Sequence, residues 1–284
     1  MVMNMDMDMD TNESSTQGIS EQKKAVTNRR VPAVTRAVSI LRYLANESEP
    51  IGIVPLARGV GLIPSTCLHI TRVLVNEGLV AVAPQTKQYT LGSGILALAS
   101  AFSLRNVLAR VVGNRLDVLT KDHGIVFSVA EINSLREHVV VAVGTSQTGV
   151  AVTLTVGTRF PLFAGTSGRC WAAFALDPGK LDSKATKKQV QSISWEDPPT
   201  FDAWLEQVNS AKKLGYALDV GNFIRGVTVV GVPVFNELGV LVGCLNAMGI
   251  GERLVGDSLE AAIVALKDLS NQVHRDLGHQ QRSS

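Results

Sequence analysis

The sequence predicts a mixed α+β protein in which a small helical domain precedes a larger domain with an antiparallel sheet. With 284 residues the chain is long enough for two domains that each bury a core. Short helical patterns and one hairpin occupy the first part, whereas β-prone runs alternate with helical stretches after Gly124. Residues 29–90 hold seven Lys/Arg against three Glu, but residues 91–284 hold eighteen against seventeen acids. A basic module followed by a nearly neutral one fits a DNA-binding part and a sensing part.

Composition and cysteine spacing argue against a membrane protein, a secreted disulfide-rich protein and a metalloprotein. The apolar fraction of 45% with 18% charged residues is ordinary for a soluble protein. No run approaches the length of a membrane helix, and the start lacks the order of a secretory signal, so we expect a cytoplasmic protein without membrane contact. The three cysteines (Cys67, Cys170 and Cys244) are far apart, and the five histidines lack metal-ligand spacing. We therefore predict no disulfide framework, metal or cofactor. Residues 1–28 are polar and predict a disordered tail.

Three helices and a hairpin are predicted in the first domain, residues 29–91. The first helix carries apolar residues at spacings of four, three and three: Val34, Val38, Leu41 and Leu44. After a break at 49–52, a short helix from Ile53 to Val60 turns Leu56 and Ala57 inward.

A glycine turn at Gly61 leads into the third helix, which opens at Pro64 and runs to about Glu77, with Gly78 as its stop. Residues 79–82 and 89–91 form a hairpin around a polar turn. This order is that of a winged helix-turn-helix, whose third helix fits the major groove of DNA.

The second domain is predicted over residues 105–284, after an apolar linker helix at residues 92–104 that continues into a helical stretch ending near Lys121. Its predicted strands are 125–130, 138–143, 150–156, 227–234 and 240–247. Helices are predicted at 168–176, 201–214 and 258–277. Strands interleaved with helices in this way indicate an α+β domain around an antiparallel sheet.

From about Val31 to Asp276 the chain resembles the IclR-type bacterial transcription regulators. The segments that carry the resemblance are Ala33-Val-Thr-Arg-Ala-Val-Ser-Ile-Leu41, Gly61-Leu-Ile-Pro-Ser-Thr66, Leu74-Val-Asn-Glu-Gly78, Tyr89-Thr-Leu-Gly92, Gly157-Thr-Arg-Phe-Pro-Leu162, Gly168-Arg169, Gly215-Tyr-Ala-Leu-Asp219, Gly226 and Pro233-Val-Phe235. The resemblance implies a GAF-like effector-binding domain, a homodimer or homotetramer, and affinity for operator DNA that a small organic ligand, often a carboxylate, alters. The sequence leaves open whether the protein represses or activates.

The chain departs from the family pattern at several sites. His69 stands where the recognition helix usually has a basic residue, and Arg169 replaces a lysine. The acidic run that usually follows the Gly-Tyr-Ala strand is here Val220-Gly221-Asn222, so its usual glutamate is missing. A frequent pocket cysteine corresponds to Val229, and two pocket serines correspond to Asn246 and Met248. These departures leave the fold prediction intact but prevent any carry-over of effector identity.

The DNA-binding candidates lie mainly on the third helix. Ser65 and Thr66 open it and can bond phosphate or simply cap it. His69 and Arg72 share the face of Ser65 and suit contacts with base edges and phosphate, and the alternative is a solvated polar face. Arg36 on the first helix and Lys87 at the wing tip are further phosphate candidates. Cys67, which also lies on the third helix, is interpreted as a small buried apolar residue rather than a redox sensor.

The effector candidates centre on Gly165-Thr166-Ser167-Gly168-Arg169, which precedes an apolar helix whose free N–H groups suit a carboxylate. The alternative is a capped helix beneath a loop, with no ligand. The resemblance places Thr166 and Ser167 at the effector and adds four further residues: Asp219, Val229, Asn246 and Met248. Core packing of Val229 and Met248, and a structural capping role for Asp219, remain open alternatives. With mostly apolar walls, we expect an aromatic or bulky aliphatic acid rather than a small polar one.

Two other functional classes are disfavoured. An enzyme would need a recognisable catalytic motif, but residues 165–169 fail the Gly-x-Ser-x-Gly pattern because position 169 is Arg, and neither a phosphate loop nor a His-Glu-x-x-His motif is present. A pure dimerisation protein would have no need of the glycine-bounded helix start. We therefore predict a regulator rather than an enzyme.

Overall fold

A computed structural model describes residues 31–133, 136–145 and 154–281 of the chain. The predicted tail at 1–28 and the predicted strand residues 150–153 lie outside these ranges, and residues 154–156 do not form a strand. The structure divides between Ile95 and Leu96 into two compact units, and each is described by itself.

The first unit contains three helices and a three-stranded antiparallel sheet in the order β1-β3-β2. The helices are α1 (Pro32–Asn46), α2 (Ile53–Gly59) and α3 (Pro64–Asn76), and the strands are β1 (Ile51–Gly52), β2 (Val80–Val82) and β3 (Gln88–Leu91). Strand β1 is an addition to the predicted hairpin, pairing Ile51 with Tyr89. The winged helix-turn-helix layout is confirmed.

The turn between α2 and α3 depends on Gly61. Its φ of +68° lies in the left-handed region, which L-residues with a side chain rarely adopt. From there the N–H of Leu62 donates to the carbonyl of Ala57 at 2.8 Å, and the N–H of Gly61 donates to that of Arg58 at 3.2 Å. These two bonds form the helix-ending Schellman motif, so the chain can reverse into α3 without orphaned carbonyls.

The apolar face predicted for α1 is only partly buried. Ile40 and Leu44 are buried with Leu56 and Cys67, whereas Val34 and Val38 are 60% and 39% exposed. The C-terminal half of α1 therefore packs into the core, whereas the valines at its start are exposed. The inward orientation of Leu56 and Ala57 in α2 is confirmed.

The second unit is built on a six-stranded antiparallel sheet in the order β6-β5-β4-β9-β8-β7. Its strands are β4 (Val126–Ile132), β5 (Glu137–Val143), β6 (Arg159–Pro161), β7 (Ala217–Val220), β8 (Val227–Phe235) and β9 (Leu241–Ile250). The helices in and before this unit are α4 (Gly94–Arg105), α5 (Val107–Val112), α6 (Arg115–His123), α7 (Gly165–Phe174), α8 (Pro178–Leu181), α9 (Lys184–Gln191), α10 (Phe201–Leu214) and α11 (Gly256–Gln281). A 3-10 turn, Gly251–Leu254, precedes α11.

Each face of this sheet covers its own core. Alternation along β4 turns Phe127 and Val129 toward α5, α6 and α11, where Leu266 and Val273 are fully buried. On the opposite face, α7 and α10 pack around Trp204 and Phe163. The second core leaves a gap against β4, β9 and β8, and this gap is the cavity described below.

Several predictions for this unit need correction. The helix expected to continue to Lys121 breaks at Gly113-Asn114 into α5 and α6. Strand β6 and helices α8 and α9 were not predicted, whereas α10 spans the predicted residues. No single helix in the described ranges is long and apolar enough to cross a membrane; α2 with α3 meets the length and composition criteria only as a pair bent by 103°.

Candidate functional site

The exposed face of α3 carries three of the predicted DNA-binding side chains. Ser65, His69 and Arg72 follow one another at spacings of four and three residues, and all three are exposed. The opposite face, with Cys67, Thr71 and Leu74, is buried in the core of the first unit. The helix is thus anchored by one side and presents a polar side to solvent, as a recognition helix requires.

The hydroxyls at the start of α3 do not cap it. Ile63 is the N-cap residue and Pro64 the first helical residue, so Ser65 and Thr66 fall inside the first turn. The capping interpretation is therefore wrong. Ser65 is exposed and Thr66 is half-buried. Their position beside the unpaired amides of the first turn is where a helix start bonds a phosphate.

Within residues 31–95 the first unit has five basic side chains: Arg36, Arg42, Arg58, Arg72 and Lys87. All are exposed, and within residues 31–95 none of them forms an ion pair. Lys87 lies at the end of the wing turn with a φ of +55°. With the three glutamates of the same segment, residues 31–95 have a net charge of +2. Arg42 and Arg58 were not among the predicted candidates.

Cys67 is an interior residue of this unit. It is completely buried, its Sγ lies 3.9 Å from the Thr71 hydroxyl, and burial raises the pKa of its thiol. A raised pKa disfavours the reactive thiolate. The interpretation of Cys67 as a small buried apolar residue is confirmed.

A cavity of about 60 Å³ lies in the second unit, between the N-terminus of α7 and strands β4, β9 and β8. All six predicted effector residues line it: Thr166, Ser167, Asp219, Val229, Asn246 and Met248. Most of its remaining surface is apolar. The fold thus brings these six residues together at one cavity, although they lie up to 82 positions apart in the chain.

The sheet register divides the floor of the cavity into a polar row and an apolar row. Ser128 pairs with Asn246, which pairs in turn with Gly231. Two residues further along the strands, Met248 pairs with Val229. The polar groups of the floor are thus collected in one row beneath the start of α7.

Gly231 allows α7 to approach this row. A Cβ at position 231 would come within 2.7 Å of the Thr166 Cβ and 2.9 Å of the Asn246 Oδ1, so any larger residue would push the helix away. The absent side chain brings Thr166 close enough to donate to Asn246 Oδ1 at 2.8 Å, and Ser167 donates to the same oxygen at 3.3 Å.

The orientation of the Asn246 amide fixes what this end of the cavity offers a ligand. Asn246 Nδ2 lies 3.1 Å from the Cys244 carbonyl, which can only accept, so Oδ1 must face the two hydroxyls. Thr166 and Ser167 therefore donate their hydroxyl hydrogens to Asn246, so these hydrogens are not available to a ligand. Ala164 is the N-cap without a side-chain cap, and the first amide bonded into the helix is that of Gly168. The donors left for an anion are the backbone N–H groups of residues 165–167.

Asp219 closes one end of the cavity with a carboxylate that already has its partners. Arg169 Nη1 donates to Oδ2 at 2.7 Å, and both side chains are buried. The N–H groups of Asn222 and Phe223 donate to Oδ1 at 3.1 and 3.2 Å. Asp219 therefore fixes the loop after β7, which carries Phe223 and Ile224 into the cavity wall. This favours its structural role over direct contact with an acid.

Nine lining residues were missed by the sequence argument: Ser128, Ala130, Val140, Leu154, Phe160, Ala164, Phe223, Ile224 and Val227. Most are apolar and look like ordinary core residues in the sequence. Ser128 is different, since a hydroxyl inside the apolar run Val126-Phe-Ser-Val-Ala130 is a signal that could have found it.

Two buried groups near the cavity argue against catalysis. Burial lowers the pKa of His138 to about 4, and its Nε2 lies 2.8 Å from the Leu162 carbonyl, so the ring is neutral and donates. The pKa of Cys170 is raised by a hydrogen bond with Cys244 and by burial. Neither offers an activated base or nucleophile. No cluster of metal-ligating side chains occurs within the described ranges.

A recognition helix with a wing, in one chain with an α+β domain that encloses a ligand cavity, defines a class: DNA-binding transcription regulators with an effector domain. Residues 33–84 match the IclR helix-turn-helix domain, and residues 102–275 match the bacterial transcriptional regulator IclR C-terminal domain. The chain belongs to the IclR family of bacterial transcriptional regulators.

Relatives agree with this assignment. The chain is 27% identical over 253 residues to the glycerol operon regulatory protein of Streptomyces griseus, covering 88% of this chain and 98% of that one. Among solved structures, an IclR regulator from Alicyclobacillus acidocaldarius superposes with a TM-score of 0.73 at 22% identity, over 87% and 99% of the two chains. An IclR homologue from Microbacterium hydrocarbonoxydans, complexed with 4-hydroxybenzoate, gives 0.71 at 19% identity, over 89% and 100%. The prediction of a regulator rather than an enzyme is confirmed.

Proposed function

We propose that this regulator binds operator DNA through α3 and the wing, and that an organic acid with an aromatic or bulky apolar body controls its activity from the cavity of the second unit. We propose the cytoplasm as its place of action. The observation that supports the acid is the pairing of one anion-binding end, the start of α7, with otherwise apolar walls. The proposed domain boundaries are 29–91, 92–104 and 105–284.

The DNA contacts follow from the exposed surface of the first unit. His69 and Arg72 are proposed to reach base edges or phosphate in the major groove, and Ser65 and Thr66 to bond phosphate at the start of α3. Arg36 and Lys87 are proposed as phosphate contacts from α1 and the wing. Exposure supports these roles for all of these residues except the half-buried Thr66, and the basic residues among them form no ion pair within residues 31–95.

The body of the acid is proposed to lie over the apolar row. Val229 and Met248 form its floor, while Phe160 and Phe223 meet edge-to-face above with their ring centroids 5.8 Å apart. Aromatic walls suit a flat apolar body. The Microbacterium homologue binds 4-hydroxybenzoate, which supports testing benzoates first.

We propose that the protein forms a homodimer or homotetramer and that the linker helix, α4, takes part in the contact. None of the residues of α4 is buried, and four of its large apolar side chains are at least half exposed: Leu96, Leu98, Phe102 and Leu104. An apolar helix exposed all round is expected to bury part of its surface against a second copy.

Isothermal titration with benzoate, phenylacetate, glyoxylate and pyruvate tests the choice of acid. We expect the two aromatic acids to bind, and Met248→Ser to shift the preference toward the smaller acids because it adds a hydroxyl and space. Tight binding of glyoxylate or pyruvate without a response to the aromatic acids would refute the proposal. An unchanged preference in Met248→Ser would make Met248 a core residue.

A further inference from the structure

The cavity contains one buried hydroxyl with no partner. Ser128 is 2% exposed and lines the cavity, and its side chain forms no hydrogen bond within residues 31–133, 136–145 and 154–281. Its strand neighbours Phe127 and Val129 are packed into the opposite core, so Ser128 is the polar exception in an apolar segment. An unpaired buried hydroxyl costs stability, and its presence is best explained if a ligand pairs with it.

The register places Ser128 beside the anion-binding end of the cavity. It is the cross-strand partner of Asn246, whose Oδ1 accepts from Thr166 and Ser167 at the start of α7. Side chains of directly opposed residues on one face of an antiparallel pair lie roughly 5 Å apart. Ser128 therefore lies on β4, the strand next to Asn246, and Asn246 in turn contacts the helix start whose backbone donors are residues 165–167.

We propose that the Ser128 hydroxyl donates to the carboxylate of the effector and thereby determines selectivity for an acid over its neutral analogues; this inference rests on the proposed function. A carboxylate has two oxygens to satisfy. One faces the N–H groups at the start of α7. The hydroxyls of Thr166 and Ser167 donate to Asn246, so the second oxygen takes its bond from Ser128, the remaining hydroxyl of the cavity wall.

The test compares wild type with Ser128→Ala, by isothermal titration of the full chain with benzoate and with benzamide. Losing a hydrogen bond to a charged group weakens binding by roughly ten- to a hundredfold, so benzoate should lose that much affinity while benzamide loses markedly less. Ser128→Thr retains the hydroxyl and should retain most of the benzoate affinity.

A thermal-unfolding measurement without ligand separates this role from a structural one. Ser128→Ala removes an unpaired polar group, so its unfolding temperature should equal or exceed that of wild type. The matched control is Ser270→Ala, because Ser270 is also buried but donates to the Pro233 carbonyl at 2.7 Å. That variant should unfold at a lower temperature and bind benzoate normally.

Two results would overturn the inference. If Ser128→Ala binds benzoate as wild type does, the assignment of Ser128 is wrong while the proposed acid effector stands. If wild type binds neither benzoate nor phenylacetate, the proposed effector class fails and this inference fails with it.

Discussion

Arg169 and Asp219 form a fully buried ion pair, with Nη1 and Oδ2 2.7 Å apart, that joins helix α7 to the end of strand β7 beside the cavity. Arg169 also donates to Gln207 at 2.8 Å and to Asn222 at 3.1 Å, and its guanidinium stacks 5.6 Å from the Trp195 ring centre. One side chain therefore holds α7, α10 and the loop after β7 together. Lysine has no planar fork that could make these contacts at once.

The first prediction concerns this pair. Arg169→Ala should lower the free energy of unfolding by about 3–5 kcal/mol, since Asp219 is left as an uncompensated buried charge. Urea unfolding measures it. Arg159→Ala is the matched control, because Arg159 pairs with Glu137 at 2.9 Å but is 43% exposed, and it should cost less than about 1 kcal/mol. Equal losses in the two variants would contradict the account.

The second prediction is a pH dependence caused by His138. The pKa of His138 is about 4 in the folded protein, below its ordinary value near 6.5, so the unfolded chain takes up this proton first as the pH falls. Stability should therefore drop by about 3 kcal/mol between pH 6.5 and 4 from this residue. His138→Gln retains a donor for Leu162 but does not titrate. Urea unfolding of both proteins across this range should show a shallower slope for the variant; parallel curves would exclude the assignment.

The third prediction concerns DNA affinity. Arg72→Ala and Lys87→Ala should each weaken binding to all DNA sequences and reduce the slope of log K against log salt by roughly one. Electrophoretic mobility shifts at several salt concentrations measure this. Lys212→Ala, an exposed lysine of the second unit, serves as the control and should change neither quantity. An unaltered slope in both test variants would remove them from the interface.

The fourth prediction concerns assembly through α4. Replacing Leu98 and Phe102 by glutamate should convert an oligomer to a monomer, because charges would be buried against the second copy. Light scattering at micromolar concentration gives the mass. Ser103→Glu is the control: it adds one charge at an exposed position of the same helix, and this variant should still assemble. A wild-type monomer, free and on DNA, would refute the proposal.

The sequence predicted the order of elements better than their packing. Gly61 and Pro64 located the helix-turn-helix because backbone conformation is encoded locally in such residues. Val34 and Val38 belong to the predicted apolar face of α1 but are exposed, because periodicity shows that a helix has an apolar face but not what covers it. Helix α9 was missed because its lysine-rich sequence buries only Thr186 and Val190.

The cavity was predicted in part for a similar reason. Thr166, Asn246 and Met248 came from family resemblance, which preserves positions across the sheet. The hydroxyl of Ser128 in an apolar run is visible in the sequence, but its place beside Asn246 depends on strand register. Phe223 was missed because its role depends on the loop that Asp219 fixes, and both register and loop are long-range properties. Local pattern does not report such contacts.

The central claim is that an acid in the cavity of the second unit changes DNA binding by the first. Fluorescence anisotropy of the full chain, on a labelled fragment from upstream of its own gene, tests this directly. We predict that saturating benzoate or phenylacetate changes the Kd for this DNA by about 5- to 150-fold, the usual range for coupled sites, and that glyoxylate has little effect. DNA affinity that stays the same with every acid, although the aromatic acids bind the protein, would contradict the account.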